Sequence, residues 1–189
     1  AWMDGLPEES MENALKTYRY NSLPPNDTAG AEKLIREILG KAGKNITIRP
    51  PFYCDYGKNI EIGDNFFANF NTVILDVGKV KIGNNVMFAP NVSVYTAGHP
   101  IHPASRNSGY EYGIAVIIGD NVWIGGNAVI NPGVTIGNNC VIGAGSVVTK
   151  NIPDNSIAVG NPARVIRKIT DDDRRYYFKN LVFDVDDYK

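Results

Sequence analysis

Both histidines of this chain, His99 and His102, lie in one short stretch, YTAGHPIHP, between Tyr95 and Pro103. Imidazole is the side chain best suited to move a proton near neutral pH. His99, where the chain leaves its regular pattern, is therefore a residue fitted to proton transfer. The plainer reading is that a lone loop histidine caps a turn by hydrogen bonding. His102 reads as a loop residue lining the same site. Nothing in the sequence places a nucleophile beside its own base, so direct attack on a substrate is favoured over a covalent intermediate. A histidine-built zinc centre needs three imidazoles. Two per chain cannot supply three per site, even when subunits share them, so no metal is expected. Cys54 and Cys140 are the only cysteines, which argues against a disulfide framework and for a reducing cytoplasm.

The histidines interrupt a repeat. From Ile118 the chain reads IGDNVW, IGGNAV, INPGVT, IGNNCV, IGAGSV, VTKNIP. An aliphatic residue recurs at every sixth position: Ile118, Ile124, Ile130, Ile136, Ile142 and Val148. Two positions before the later members stand Val122, Ala128, Val134, Cys140 and Ser146. A period of six fits neither a helix nor a plain alternating strand, but fits a short strand plus a tight turn. Positions i and i−2 share a strand face, so the aliphatic and the smaller residue both point inward. Cys140 is thus a core residue. Gly and Asn supply the turns, where φ is positive. A looser form of the pattern begins at about Ile60, with two extra residues near Gly78. Hexads cannot bury their aliphatics alone, so they must coil and stack, three to a coil, in about five coils of a triangular parallel solenoid. The insertion from Pro100 to Val116 breaks the coil, and long insertions in compact repeats commonly serve function.

The flanks do not repeat. Residues 1–45 form an N-terminal helical segment, residues 46–169 the solenoid, and residues 170–189 a short C-terminal helix and tail. TAGAEKLIREILGKAG is amphipathic, with Leu34, Ile35, Ile38 and Leu39 on one face, Asp27 or Thr28 at its start and Gly40 or Gly43 at its stop. Such a segment would cap the open end of the solenoid. DVDDYK, residues 184–189, is expected to fray. Apolar residues make up 43% of the chain and net charge is −1, which suits a soluble domain with no broad affinity for nucleic acid or anionic membranes. No apolar run approaches the roughly 20 residues that span a bilayer, and AWMDGLPEES lacks the features of a secretory signal.

The hexads, with YTAGHPIHP, INPGVTIG, VIGAGSVVTK and VGNPARVIRKI, resemble the hexapeptide-repeat acyltransferases, and most closely the maltose and galactoside O-acetyltransferase group. The likeness covers nearly the whole chain. It implies a left-handed parallel β-helix, a handedness that the period alone does not decide. It implies transfer of acetyl from acetyl-CoA to a sugar hydroxyl, with His99 as general base and Asn69, in ANFN, stabilising the transition state. A turn role competes for Asn69. Asp55, Phe67 and Asp76 fall at acceptor-side positions. Some galactoside enzymes carry paired acids where this chain has Asp76 and Val77, and an acceptor-binding acid where it has Ala1, so the resemblance leaves maltose, glucose and galactoside types all open as acceptors.

On the donor side, Trp123, Gly125 and Gly126 suit an apolar slot with a flat wall. Ala144 lies one 18-residue coil beyond Gly126, so the two should stack on one ridge. Thr149, Lys150, Arg164 and Arg167 are candidates for the phosphates, although small cationic clusters are more often a solvated face. The resemblance also implies a homotrimer with sites between subunits, so His99 and the donor ridge should meet across an interface. Its partners would be CoA and a small sugar. The competing readings are a hexapeptide acetyltransferase for an antibiotic, serine or amino sugar, a zinc carbonic anhydrase on the same solenoid, and a non-enzymatic scaffold. The histidine count disfavours the anhydrase. The mixed outward residues and the inserted loop disfavour the scaffold.

Overall fold

The computed structural model describes residues 6–183, so Ala1 and residues 184–189 lie outside the described residues. Two helices come first, α1 (Leu6–Asn21) and α2 (Thr28–Ile38). Asp27 caps α2 by accepting the Gly30 N–H at 2.9 Å. Ile35, Ile38 and Leu39 are buried with Tyr20 of α1 against Ile48 and Phe52 of the first coil.

Five complete coils follow. The first holds β1 (Lys41–Ala42), β2 (Thr47–Ile48) and β3 (Phe52–Cys54). The second holds β4 (Ile60–Ile62), β5 (Phe67–Ala68) and β6 (Thr72–Leu75). The third holds β7 (Val80–Ile82), β8 (Met87–Phe88) and β9 (Ser93–Tyr95). An excursion then contains β10 (Ala97–Gly98), α3 (Pro103–Asn107) and β11 (Tyr112–Gly113). The fourth coil holds β12 (Val116–Ile118), β13 (Trp123–Ile124) and β14 (Val129–Ile130). The fifth holds β15 (Thr135–Ile136), β16 (Val141–Ile142) and β17 (Val147–Val148). A partial sixth coil adds a bridge at Ile152 and β18 (Ser156–Val159), against which β19 (Arg164–Lys168) turns back antiparallel.

Like strands of successive coils pair in parallel, giving three faces. Face 1 is β1-β4-β7-β12-β15, face 2 is β2-β5-β8-β13-β16 continued by β18, and face 3 is β3-β6-β9-β14-β17. The expected aliphatic ladder, Ile118 through Val148, is buried, as are Val122, Ala128, Val134, Cys140 and Ser146. Asparagines hold the corner between faces 1 and 2. Asn45, Asn65, Asn85, Asn121, Asn139 and Asn155 all have φ of 54–57°, and each amide bonds the next at 2.9–3.1 Å.

The coil therefore begins about twenty residues before the hexad pattern becomes readable. In the first coil Ala42 stands in the column of Ile62, Ile82, Ile118 and Ile136, and Phe52 in the column of the smaller Thr72, Val92, Ala128 and Ser146, and helices cover its edge. The amide of Asn21 bonds both the N–H and the carbonyl of Phe52 at 2.9 Å, serving as the neighbour that edge strand β3 lacks. At the other end, the expected C-terminal helix is a single 3-10 turn, Asp171–Arg175, followed by a hairpin of β20 (Tyr176–Phe178) and β21 (Leu181–Val182). Three consecutive aromatics favour extended backbone there.

Candidate active site

The excursion folds back on itself. β10 and β11 pair antiparallel, Ala97 opposite Gly113 and Gly98 opposite Tyr112, which returns the chain to His99. The His99 Nδ1 lies 3.0 Å from the carbonyl oxygen of Tyr110. A carbonyl can only accept, so Nδ1 carries the proton and Nε2 presents its lone pair. Nε2 is 3.7 Å from Oε1 of Glu111, with the His99 side chain 52% exposed. His102 serves the loop instead, since its Nδ1 accepts the Ala104 N–H at 3.2 Å and caps α3.

Asp55 and Asp76 share the His99 edge, the corner between faces 3 and 1. Asp76 is fully buried. Its carboxylate accepts the N–H groups of Asp55 at 3.0 Å, Tyr56 at 2.9 Å and Asn59 at 3.4 Å. It thereby fastens the extra residues of this corner, where the first coils are 20 residues long and the later ones 18. Burial raises the Asp76 carboxyl, and these backbone bonds oppose the rise. Asp55 is half-buried. Burial first, then the charges of Asp76 and Glu111, push its carboxyl up to about 6. The neighbouring Cys54 thiol is pushed up to about 12, chiefly by burial, and is not a nucleophile. Thr149 and Lys150 are exposed on this same edge two coils further on, following β17 as His99 follows β9.

The remaining candidates collect on the other end of face 3, the corner between faces 2 and 3. Backbone hydrogen bonds define a column of equivalent positions: Arg49, Asn69, Ala89, Gly125 and Gly143. The next column runs Phe70, Pro90, Gly126 and Ala144, as the bonds from Asn91 to Phe70, Asn127 to Pro90 and Gly145 to Gly126 establish. The expected stacking of Gly126 and Ala144 is present. A Cβ on Gly125 would stand 2.5 Å from the Ala144 nitrogen, so neighbouring coils alone demand glycine there. Trp123 is 51% exposed, outward on face 2 between Met87 and Val141, with Phe67 one coil beyond Met87.

Asn69 is not the turn residue of its hexad. The left-handed position is Asn71, with φ 61°, whose amide bonds Asn91. The Asn69 Oδ1 accepts the Phe70 N–H at 2.9 Å, which leaves its Nδ2 donors without a protein partner among the described residues. Arg164 and Arg167 lie on β19. The Arg164 guanidinium bonds the Ala163 carbonyl at 2.9 Å. Arg167 forms a two-pronged pair with Asp173 at 2.7 and 2.8 Å, which holds the Asp173 carboxyl down at about 2.

Within one chain, then, the candidates form two groups. Phe67, Asn69, Trp123, Gly125, Gly126 and Ala144 occupy one edge, while Asp55, Asp76, His99, Thr149 and Lys150 occupy the other. Face 3 separates them, and its four-residue strand Thr72–Leu75 alone spans roughly 13 Å. Tyr110 and Glu111 were not legible as site residues. Their only signal is the aromatic run GYEYG inside the insertion.

Residues 115–150 match the family model described as bacterial transferase hexapeptide (six repeats). A galactoside O-acetyltransferase of Escherichia coli is 50% identical over 94% of this chain and 87% of its own length. The chain belongs to the hexapeptide-repeat galactoside and maltose O-acetyltransferase family. Solved members of this O-acetyltransferase family superpose closely. A galactoside acetyltransferase in complex with coenzyme A has a TM-score of 0.95 at 49% identity, covering 97% of this chain and 92% of its own. A maltose O-acetyltransferase from Clostridium difficile 630 has a TM-score of 0.88 at 52% identity, covering 89% and 90%. The solenoid is thus the left-handed parallel β-helix of the family. Among the described residues there is no cluster of three metal-ligating side chains, and no helix is long and apolar enough to cross a membrane.

Proposed function

We propose that the protein transfers acetyl from acetyl-CoA to a sugar hydroxyl, in a cleft formed where the Asn69 edge of one copy meets the His99 edge of the next. The observation that carries this reading is the division of the candidate site residues between two edges of one chain. Each edge holds acceptor-side and donor-side candidates, and neither holds a whole site. A closed ring of three copies with face 3 turned inward would join unlike edges three times over. The outward residues of face 3 suit an interior position. Tyr53, Val73, Ser93, Val129 and Val147 carry no charge, whereas face 1 presents Lys41, Glu61 and Lys81.

The first edge fits a long, thin donor. Ala89 and Pro90, Gly125 and Gly126, and Gly143 and Ala144 floor a groove over three coils, roughly 10 Å at the spacing of stacked strands. Trp123 gives it a flat wall. Lys150 and Arg164 supply cations for phosphates, and Arg167 would join them by exchanging its partner Asp173. Acetyl-CoA supplies the activated acyl group when bound. At the acceptor, Nε2 of His99 takes the hydroxyl proton as its oxygen attacks, while Tyr110 holds Nδ1–H and fixes the tautomer. The carboxylate of Glu111 faces the imidazolium that results. The Nδ2 group of Asn69 donates to the oxygen on which negative charge develops. The imidazolium then returns its proton to the departing thiolate. Asp55 and Phe67 contact the sugar, and Asp76 acts through Asp55 by holding its backbone. The two unpaired cysteines support a cytoplasmic setting.

The test is release of CoA thiol from acetyl-CoA with glucose, maltose, a galactoside, an amino sugar, serine and chloramphenicol. Sugar-dependent release supports the reading and ranks the sugars. Release with serine or chloramphenicol alone moves the protein to another acceptor class. Failure to bind CoA sinks the transferase reading.

A further inference from the structure

The donor groove has a closed end, and a cation stands there. Following the column of small residues from Gly143 through Gly125 and Ala89, the floor rises at Asn69 and ends at Arg49. The guanidinium carbon of Arg49 lies 5.6 Å from the ring centre of Phe67 and 5.2 Å from that of Phe70. Both rings belong to the coil that carries Asn69, so the guanidinium is braced against that coil, one position beyond Asn69 in the column. Guanidinium stacked on aromatic faces loses rotational freedom but keeps its in-plane N–H donors. Arg36, Arg106, Arg164 and Arg167 each donate to a protein oxygen. Arg49 has no such oxygen among the described residues, although its side chain is held in place.

We infer that Arg49 is an acceptor-binding residue: its guanidinium donates hydrogen bonds to the hydroxyl or ring oxygens of the sugar at the closed end of the groove. This rests on the function proposed above. An acyl donor lying along the small-residue floor ends near Asn69, and the next position is one coil beyond, roughly 5 Å further. That distance separates the reacting hydroxyl from hexose oxygens two or more ring positions away. The charges on the two edges are also complementary in what they ask of a ligand. Asp55 and Glu111 accept hydrogen bonds on one wall, and Arg49 only donates on the other. A polyhydroxylated neutral acceptor, whose groups both donate and accept, satisfies both walls.

Arg49→Gln and Arg49→Lys are to be compared with wild type by steady-state kinetics, varying the preferred sugar and acetyl-CoA separately, with light scattering at assay concentration. Arg49→Gln should raise KM for the sugar roughly tenfold or more, as loss of a charged donor does, and leave KM for acetyl-CoA within about twofold. Arg49→Lys, which keeps the charge but not the planar fork, should fall between. Unchanged sugar KM in both variants overturns the assignment. So does dissociation of the assembly in Arg49→Gln, because the guanidinium would then be an ion-pair partner for a neighbouring copy. Wild type without sugar-dependent turnover would instead overturn the parent reading, which keeps the two failures distinct.

Discussion

The carbonyl oxygen of Tyr110 stands 3.0 Å from Nδ1 of His99, and the adjacent Glu111 places its carboxylate 3.7 Å from Nε2. Two consecutive residues of the inserted loop thus address both nitrogens of one imidazole. This accounts for the interruption of an otherwise regular coil: the insertion leaves at His99, turns through α3 and comes back to hold the ring.

Removing the imidazole tests its role as base. His99→Ala should lower kcat by roughly 10²–10⁴ with little change in acetyl-CoA affinity. Glu111→Gln, which keeps the shape and removes the charge facing the imidazolium, should lower kcat less and leave KM for acetyl-CoA unchanged. Steady-state kinetics with calorimetric CoA binding reads both, and undiminished kcat in His99→Ala would remove the assignment.

The repeat was legible because its physics is periodic. Each hexad needs one aliphatic inward, one smaller inward neighbour and one residue that accepts positive φ, and the later coils meet all three with little variation. The first coil was not legible, because helices α1 and α2 supply part of its core and Asn21 satisfies its edge. His99 and Asn69 were named from motifs, and the Gly126–Ala144 ridge, which the structure shows, from coil spacing. Tyr110 was hidden because it acts through its backbone carbonyl, which any residue carries. Arg49 was hidden because its position follows from coil stacking in a coil that shows no repeat. That Arg167 pairs with Asp173 depends on the 3-10 turn, and the sequence suggests a longer helix there.

The asparagine ladder makes a stability prediction with an internal control. Asn121 has φ 56° and exchanges amide bonds with Asn85 and Asn139. Asn121→Gly keeps the backbone relaxed and loses the two bonds. Asn121→Ala loses the bonds and adds the left-handed penalty, about 1–2 kcal/mol. Alanine should therefore be the more destabilising of the two by about that amount in denaturant unfolding. Equal losses would mean that the ladder bonds alone matter.

The Asp55 carboxyl yields a pH dependence. Its value in the folded protein, about 6, lies above its ordinary value of 3.8, because burial and the charges of Asp76 and Glu111 disfavour ionisation. The folded state then binds this proton more tightly than the unfolded chain. Its contribution to stability is complete below pH 4 and is lost as pH rises through 6. Asp55→Asn should accordingly raise Tm at pH 7.5 relative to wild type, with the advantage vanishing near pH 4. Thermal melts at the two pH values check this. A uniform shift at both would assign the effect to packing rather than to charge.

The division of the site between two edges has the most direct test. His99→Ala spoils one edge and leaves the Asn69 edge intact, while Asn69→Ala does the reverse. In a mixed trimer, a site between a His99→Ala subunit's Asn69 edge and an Asn69→Ala subunit's His99 edge has both native residues. The two variants are to be co-expressed with different tags, purified through both, and assayed beside each variant alone. Every ring that carries both tags has one such restored interface among its three, so turnover should return to about a third of wild type. Recovery well above the sum of the separate variants places the site between subunits. Activity no greater than that sum places both residues in one chain's site, and the closed ring proposed above would have to be abandoned.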